Sequence, residues 1–180
     1  MNRAASAAIE IEGEQALCHR SGALYFPGLD LLAVSDLHLE KGAAFARRRQ
    51  LIPPYDTATT LARLAEAIAA YDPKIVVSLG DSFHDGAGAA LMPDVFRGQL
   101  SALIAGRDWF WVAGNHDPDA PEGVAGESVE EIAVGPLVFR HEPSRGLAQG
   151  EIAGHLHPGA RLVARGRSVR RRCVAGDGRR

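Results

Sequence analysis

Five times along this chain a short apolar run stops abruptly and gives way to histidine, aspartate or asparagine. Leu31 to Val34 leads into Asp36-Leu37-His38, and Lys74 to Leu79 leads into Gly80-Asp81-Ser82-Phe83-His84. Trp109 to Ala113 is followed by Gly114-Asn115-His116-Asp117, Leu137 to Arg140 by His141, and Glu151 to Ala153 by Gly154-His155-Leu156-His157. Six of the seven histidines fall in these places. A lone histidine is more often a satisfied core or surface residue. Five coincidences at strand ends describe a site, because the carboxyl edge of a sheet is where α/β folds bind ligands. The fold has to bring these five ends together.

The segments between them suggest how. Ala8 to Ile11, Ala16 to His19 and Ala23 to Phe26 read as short strands separated by turn residues, an antiparallel opening. Leu31 to Val34 has the compact apolar character of a strand buried on both faces. Gly42 to Arg49 is predicted as a short helix, blocked by Pro53-Pro54. Thr57 to Tyr71 is a longer one, with Leu61, Leu64, Ala65 and Ile68 at helical spacing and Asp72-Pro73 as its stop. Strand Lys74 to Leu79, a helix around Asp94 to Ile104 and strand Trp109 to Ala113 continue an alternation that argues for parallel neighbours. Ser128 to Val134, Leu137 to Arg140, Glu151 to Ala153, Arg161 to Ala164 and Ser168 to Val174 are short and turn-bounded. They are expected to form a second, largely antiparallel sheet.

A length of 180 residues with 46% apolar and 23% charged content suits one globular domain spanning 1–180. No apolar run approaches the roughly 20 residues of a membrane span, and the amino terminus lacks the apolar core of a secretory signal. The cytoplasm is therefore the expected location, with no membrane partner. Cys18 and Cys173 make neither a disulfide framework nor a four-cysteine zinc site. The formal charge of −2 conceals an asymmetry, since residues 161–180 carry eight arginines against Asp177 alone. A basic end on an acidic body suits a polyanionic partner as well as it suits a merely solvated strand.

The residue types at the five ends point to metal. Aspartate oxygens and imidazole nitrogens suit first-row ions such as Mn²⁺, Fe²⁺ and Zn²⁺, and no thiolate lies among them. They are too many for one ion. A pair roughly 3.5–4 Å apart shares an anionic ligand, activates water and clamps phosphoryl oxygens. The glycines at 80, 114 and 154 let the backbone turn off the strand. In Asp36-Leu37-His38, alternation sends both polar side chains to one side. Asp117 is placed either to orient the His116 ring or to cap a helix or turn before Pro118.

In their order D-x-H, G-D, G-N-H-D, H and G-H-x-H, these motifs resemble the signatures of the calcineurin-like binuclear metallophosphoesterases, from Asp36 to His157. The resemblance implies an α/β fold of the αββα four-layer type, a two-sheet β-sandwich flanked by helices with the metal site at the carboxyl ends of strands. It implies one metal held by Asp36, His38, Asp81 and His157, and a second held by Asp81, Asn115, His141 and His155, with Asp81 as the bridge. It implies that His116 contacts the phosphate and protonates the leaving oxygen.

The fuller text of 36–48, 51–57, 80–85 and 154–158 is similar to the DNA ligase-associated metallophosphoesterases. Members of that group are bacterial and are encoded near an ATP-dependent DNA ligase, a nuclease and a helicase. They cut DNA as Mn²⁺-dependent phosphodiesterases. The resemblance implies the same chemistry here on single-stranded or flexible DNA, a role in repair, a functional association with those neighbours, and a chain that runs on past Arg180. Lys41 and Arg47-Arg48-Arg49 follow the first motif, and Arg170-Arg171-Arg172 lie late, so such groups suit a phosphate backbone. Lys41, Arg48 and His84 are the candidate substrate contacts. Three consecutive arginines in a strand cannot share one face. Tyr55, Phe83, Trp109, Phe110 and Trp111 are the candidates for base stacking, with the last three expected in the core instead. A phosphatase or pyrophosphatase acting on nucleotides or other small phosphoesters is the second enzymatic reading, since one metal centre serves both chemistries. A scaffold without activity is disfavoured because every expected ligand position holds a competent residue.

Overall fold

The computed structural model describes residues 7–50, 56–146 and 148–176. The segment 51–55 with Tyr55, and Asp177, Arg179 and Arg180, lie outside the described residues. Strands β1 (Ala7–Ile11), β2 (Glu14–Cys18), β3 (Leu24–Phe26) and β4 (Leu31–Val34) form an antiparallel meander. Onto β4 are added, all in parallel, β5 (Ile75–Ser78), β6 (Asp108–Val112) and β7 (Glu127–Val129). Helices α1 (Lys41–Arg47), α2 (Asp56–Tyr71) and α3 (Asp94–Ile104) make the crossovers. Because β4, β5 and β6 advance in one direction and such crossovers are right-handed, α2 and α3 land on the same face of the sheet. The opposite face needs another cover. It is supplied by a second sheet of β8 (Glu131–Val134), β9 (Leu137–Arg140) and β10 (Glu151–Ala153), in the order β10-β9-β8.

The period of two along each strand sorts side chains into two cores. Leu32, Val34, Val76, Trp109 and Trp111 pack on Leu61, Leu64, Ala67 and Ile68 of α2 and on Leu100 and Ile104 of α3. Leu31, Ala33, Val77 and Val112 face the other way, onto Phe26, Leu137, Phe139 and Ile152. This is why every residue of β4 is buried. The stripe of α2 uses Ala67 rather than Ala65. The helix ends at Asp72, whose left-handed φ of 46° and following proline prevent another turn.

The mixed α/β fold with flanking helices is as the sequence leads one to expect, but the back third differs in detail. The expected strand Ser128 to Val134 breaks at Glu130, so that β7 closes the large sheet while β8 opens the small one. The small sheet is only half antiparallel, because β9 and β10 run parallel. Arg161 to Ala164 and Ser168 to Val174 do not join it. They form a separate ribbon, β11 (Gly159–Ala164) and β12 (Arg167–Arg172), exposed along its whole length. Arginines at 161, 170, 171 and 172 cannot enter a sandwich interior without partners. Among the described residues no helix covers the outer face of the small sheet, so layers run helix, large sheet, small sheet. Its connections supply turns instead, two residues between β8 and β9 and a bent loop between β9 and β10. No helix among the described residues is long and apolar enough to cross a membrane.

Candidate metal centre

All five motif-bearing ends meet at one edge. The parallel run of β4, β5 and β6 delivers Asp36, His38, Asp81, Asn115 and His116, and the parallel pair β9 and β10 delivers His141, His155 and His157. An antiparallel β9 and β10 would have sent His141 and His155 to opposite edges. Beyond β4 and β5 the two loops stay zipped together. The Asp36 N–H donates to the Gly80 carbonyl at 3.2 Å, His38 to Asp81 at 2.9 Å, Leu39 to Ser82 at 2.9 Å, and His84 to Leu39 at 2.9 Å. Leu39 and Phe83, both fully buried, anchor this extension.

The side chains are aimed by something other than strand alternation. Asp36, His38, Asp81, His155 and His157 all have left-handed backbone, with φ between 44° and 64°. Each such residue costs about 1–3 kcal/mol and persists only where its surroundings over-determine it, which is why such strain gathers at functional sites. Gly80, Gly114 and Gly154 permit the crowding. Gly80 has φ +77°, and a Cβ there would lie 2.5 Å from Nδ1 of His141; a Cβ on Gly154 would collide with the Ser35 hydroxyl.

Among the described residues two groups of possible ligand atoms result, each within 4.8 Å: Asp36, His38 and His157, and Asp36, Asp81 and His141. Asp36 thus belongs to both groups, where the motif resemblance gives Asp81 the shared position. Nε2 of His157 is 3.3 Å from Oδ1 of Asp36, and Nε2 of His141 is 3.5 Å from Oδ1 of Asp81. Oδ1 of Asn115 lies 2.9 Å from Nε2 of His141 and 3.0 Å from Nδ1 of His155. The His141 tautomer follows from its other nitrogen, since Nδ1 donates to the Leu79 carbonyl at 2.8 Å. With Nδ1 carrying that proton, Nε2 is the nitrogen left to face Oδ1 of Asn115. Oδ1 of Asp36 and Nδ1 of His38, both buried, accept no hydrogen bond from the described residues. Burial holds the His38 pKa down to about 4, helped by the His116 and His157 charges and opposed by Asp81 and Asp36, so the ring is neutral near pH 7. Carboxylate, amide and imidazole donor atoms converging in this way fit divalent cations.

A family profile described as calcineurin-like phosphoesterase matches residues 29–170. The chain belongs to the calcineurin-like phosphoesterases. Among solved structures, the crystal structure of Pseudomonas putida nuclease MPE matches with a TM-score of 0.73 and 26% identity, over 92% of this chain and 79% of that one. A comparison with curated protein sequences finds no match. As a calcineurin-like phosphoesterase the chain is a metal-dependent hydrolase, of a family that uses a binuclear centre.

This phosphoesterase holds His116 beside the acidic cluster. Its backbone N–H donates to Oδ1 of Asp81 at 2.9 Å, and Nδ1 of its ring donates to the His84 carbonyl at 3.0 Å. That leaves Nε2 facing inward, 4.0 Å from Oδ2 of Asp81. The ring stacks on His84 at 5.2 Å, and His84 in turn packs on Phe45. Asp117 fills neither expected role. Its Oδ2 accepts the Phe83 N–H at 2.9 Å, closing the β6 loop onto the β5 loop, and burial raises its pKa to about 6.

Of the substrate candidates, Lys41 lies 5.9 Å from the centre of the Phe45 ring, and Arg48 ends α1. Both charges help lower the His84 pKa, after burial and His116 and against Asp85. Arg47 is committed to Asp85, at 2.6 and 2.7 Å. Phe83, Trp109 and Trp111 are buried in the core and offer no stacking platform. Two participants escaped the sequence reading: the Ser35 hydroxyl, which donates to Oδ2 of Asp36, and the Leu79 carbonyl. Adjacency to Asp36 was the only signal for the first, and a main-chain carbonyl leaves none.

Proposed function

We propose that this phosphoesterase is a two-metal phosphodiesterase that cuts DNA in an endonuclease-like manner, preferring single-stranded or flexible DNA. The observation that carries the reading is the likeness over 92% of the chain to a nuclease. In this reading Asp36, His38, Asp81 and His157 hold one ion, and Asp81, Asn115, His141 and His155 hold the other. Two divalent ions, Mn²⁺ before Fe²⁺ or Zn²⁺, supply Lewis acidity toward the phosphoryl oxygens and the attacking water. The Asp81 carboxylate would screen the repulsion between the two ions, and Asn115 would offer an oxygen without adding charge. As the imidazolium, with its Nδ1–H on the His84 carbonyl, His116 would give its Nε2 proton to the departing oxygen and be left as the neutral ring protonated at Nδ1. Lys41, Arg48 and His84 lie toward the substrate strand. A cytoplasmic repair role beside an ATP-dependent DNA ligase, a nuclease and a helicase belongs to the same proposal.

The test is turnover with Mn²⁺ of a single-stranded oligonucleotide, its duplex, a nucleotide monoester and a chromogenic diester, side by side. Cleavage of the single strand and the diester is expected, with the monoester slower. Faster turnover of the monoester would replace this reading with a phosphatase or pyrophosphatase.

A further inference from the structure

Two residues after His157 the chain enters β11, and at the end of β12 the Cys173 N–H donates back to the Pro158 carbonyl at 3.1 Å. The ribbon therefore grows from the edge that carries the site. Residues 159–172 contain six arginines and no acid. Register sorts them. Arg161 lies opposite Arg170 and Gly159 opposite Arg172, so these three arginines share one face with Val163 and Ser168. Arg167 and Arg171 share the other with Ala160, Leu162, Ala164 and Val169.

On the first face like charges oppose each other directly, an arrangement that weakens a bare ladder. Nε of Arg161 donates to the Ser168 hydroxyl at 2.6 Å. A Cβ on Gly159 would lie 2.7 Å from Nε of Arg170, so the absence of a side chain lets that guanidinium lie over the base of the ribbon. Arg172, at the same end, lines a cavity that Asp36 and His157 also line. A cationic face thus starts at the metal edge and runs outward.

We propose that Arg172, Arg170 and Arg161 form a rail for the phosphate backbone of a nucleic-acid strand, leading it to the metal centre. This rests on the reading of the site as a DNA phosphodiesterase. Arg170 and Arg172 are two residues apart on β12, about 6.5–7 Å, and Arg161 flanks Arg170 across the ladder, a spacing that suits a linear polyanion. Arg161 and Arg170 stand on strands exposed along their whole length, which disfavours a single small anion. Guanidinium groups meet phosphate through paired hydrogen bonds.

The experiment is fluorescence anisotropy of a labelled oligothymidylate in EDTA, so that binding is read without hydrolysis, across a salt series. Two variants, R161S/R170S and R167S/R171S, remove equal charge from opposite faces. Both faces are exposed, so neither variant touches a core. R161S/R170S is expected to bind about tenfold more weakly, with a log–log salt slope reduced by about 1.4. R167S/R171S is expected to stay within about twofold of wild type, its arginines facing away from the strand. Equal losses from both variants, or no loss from either, would overturn the rail. Wild type that binds an acidic peptide but no oligothymidylate would overturn it in favour of a protein partner. If R161S/R170S alone loses binding while the wild type hydrolyses no diester with Mn²⁺, the rail stands and the phosphodiesterase reading fails.

Discussion

The ligand edge and the ribbon are neighbours built by opposite means. At the edge, five residues sit in left-handed backbone, imidazoles crowd against carboxylates, and segments from five strands over-determine every position. In the ribbon, positive φ occurs only at Arg165 and Gly166, the two residues of a tight hairpin turn whose twist suits the flanking strands. The edge is strained and held from all sides; in the ribbon left-handed backbone is confined to the turn, and the strands are held by their own ladder. Fixing several donor atoms around ions requires tertiary convergence, whereas presenting charge to a flexible polymer requires only a local scaffold.

The sharpest way to break this distinction is to ask which region the chemistry needs. Asp81→Asn removes a charge while keeping an acceptor for the His116 N–H. It should lower Mn²⁺-dependent hydrolysis of a small chromogenic diester by at least about 10³-fold. His116→Gln should cost kcat about 10²–10⁴-fold while stoichiometric metal is retained. A comparable loss on the small diester from Arg161→Ser would erase the contrast.

Stability separates the regions next. Phe139 is fully buried between the sheets, edge-on to Phe26 at 5.8 Å. Phe139→Ala should cost about 3–5 kcal/mol in urea denaturation, as a large cavity in a packed interior does. A loss below that range would mean that the sandwich is loosely packed beneath the site.

The same contrast governs what the sequence made legible. Leu31 to Val34 announces a strand buried on both faces because all four residues are apolar, and Leu61, Leu64 and Ile68 announce their helix face. The motif ends were readable because histidine and aspartate after apolar runs have few bland explanations. Pairing partners were not. Nothing in Ser128 to Val134 marks Glu130 as the point where the chain changes sheets, and the alternation of Arg161 to Ala164 is that of any edge strand. The parallel run of β9 and β10 is a relation between distant segments, invisible in either one. Asp36 and His38 looked like alternating strand residues, yet they are aimed by left-handed backbone that tertiary contacts impose on L-residues.

Crowding at the edge offers a finer probe. Gly154→Ala would push a methyl against the Ser35 hydroxyl and to 3.2 Å from Oδ2 of Asp36. Mn²⁺ affinity measured by calorimetry should fall about 10–100-fold, the usual cost of disturbing the groups that support ligands. An unchanged affinity would show that the edge yields as readily as the ribbon.

A smaller effect follows from Asp117, whose pKa burial raises from 3.8 to about 6. The folded chain therefore binds this proton more tightly than the unfolded chain does. As pH rises between those values the unfolded state releases its proton first, so this residue makes metal-free protein less stable up to about pH 6, with no further change above. Asp117→Asn, which still offers an oxygen to the Phe83 N–H, should remove a decline on the order of 1 kcal/mol across that window. Identical pH profiles of the two proteins in EDTA would show that the loop closure carries no such cost.

The smallest expected effect tests the other side of the comparison. Leu162 is 63% exposed and faces solvent beside Val169 on the apolar face of the ribbon. If the ribbon is held by its own ladder, Leu162→Ser removes little buried area and should shift stability by no more than about 0.5 kcal/mol. The two-residue turn and the six paired positions remain intact in the variant. A loss of 2 kcal/mol or more, of the size seen when buried side chains are truncated, would mean that this face rests on another surface in solution. The ribbon would then be a second packed region, and its basic face would be as firmly oriented as the ligand edge.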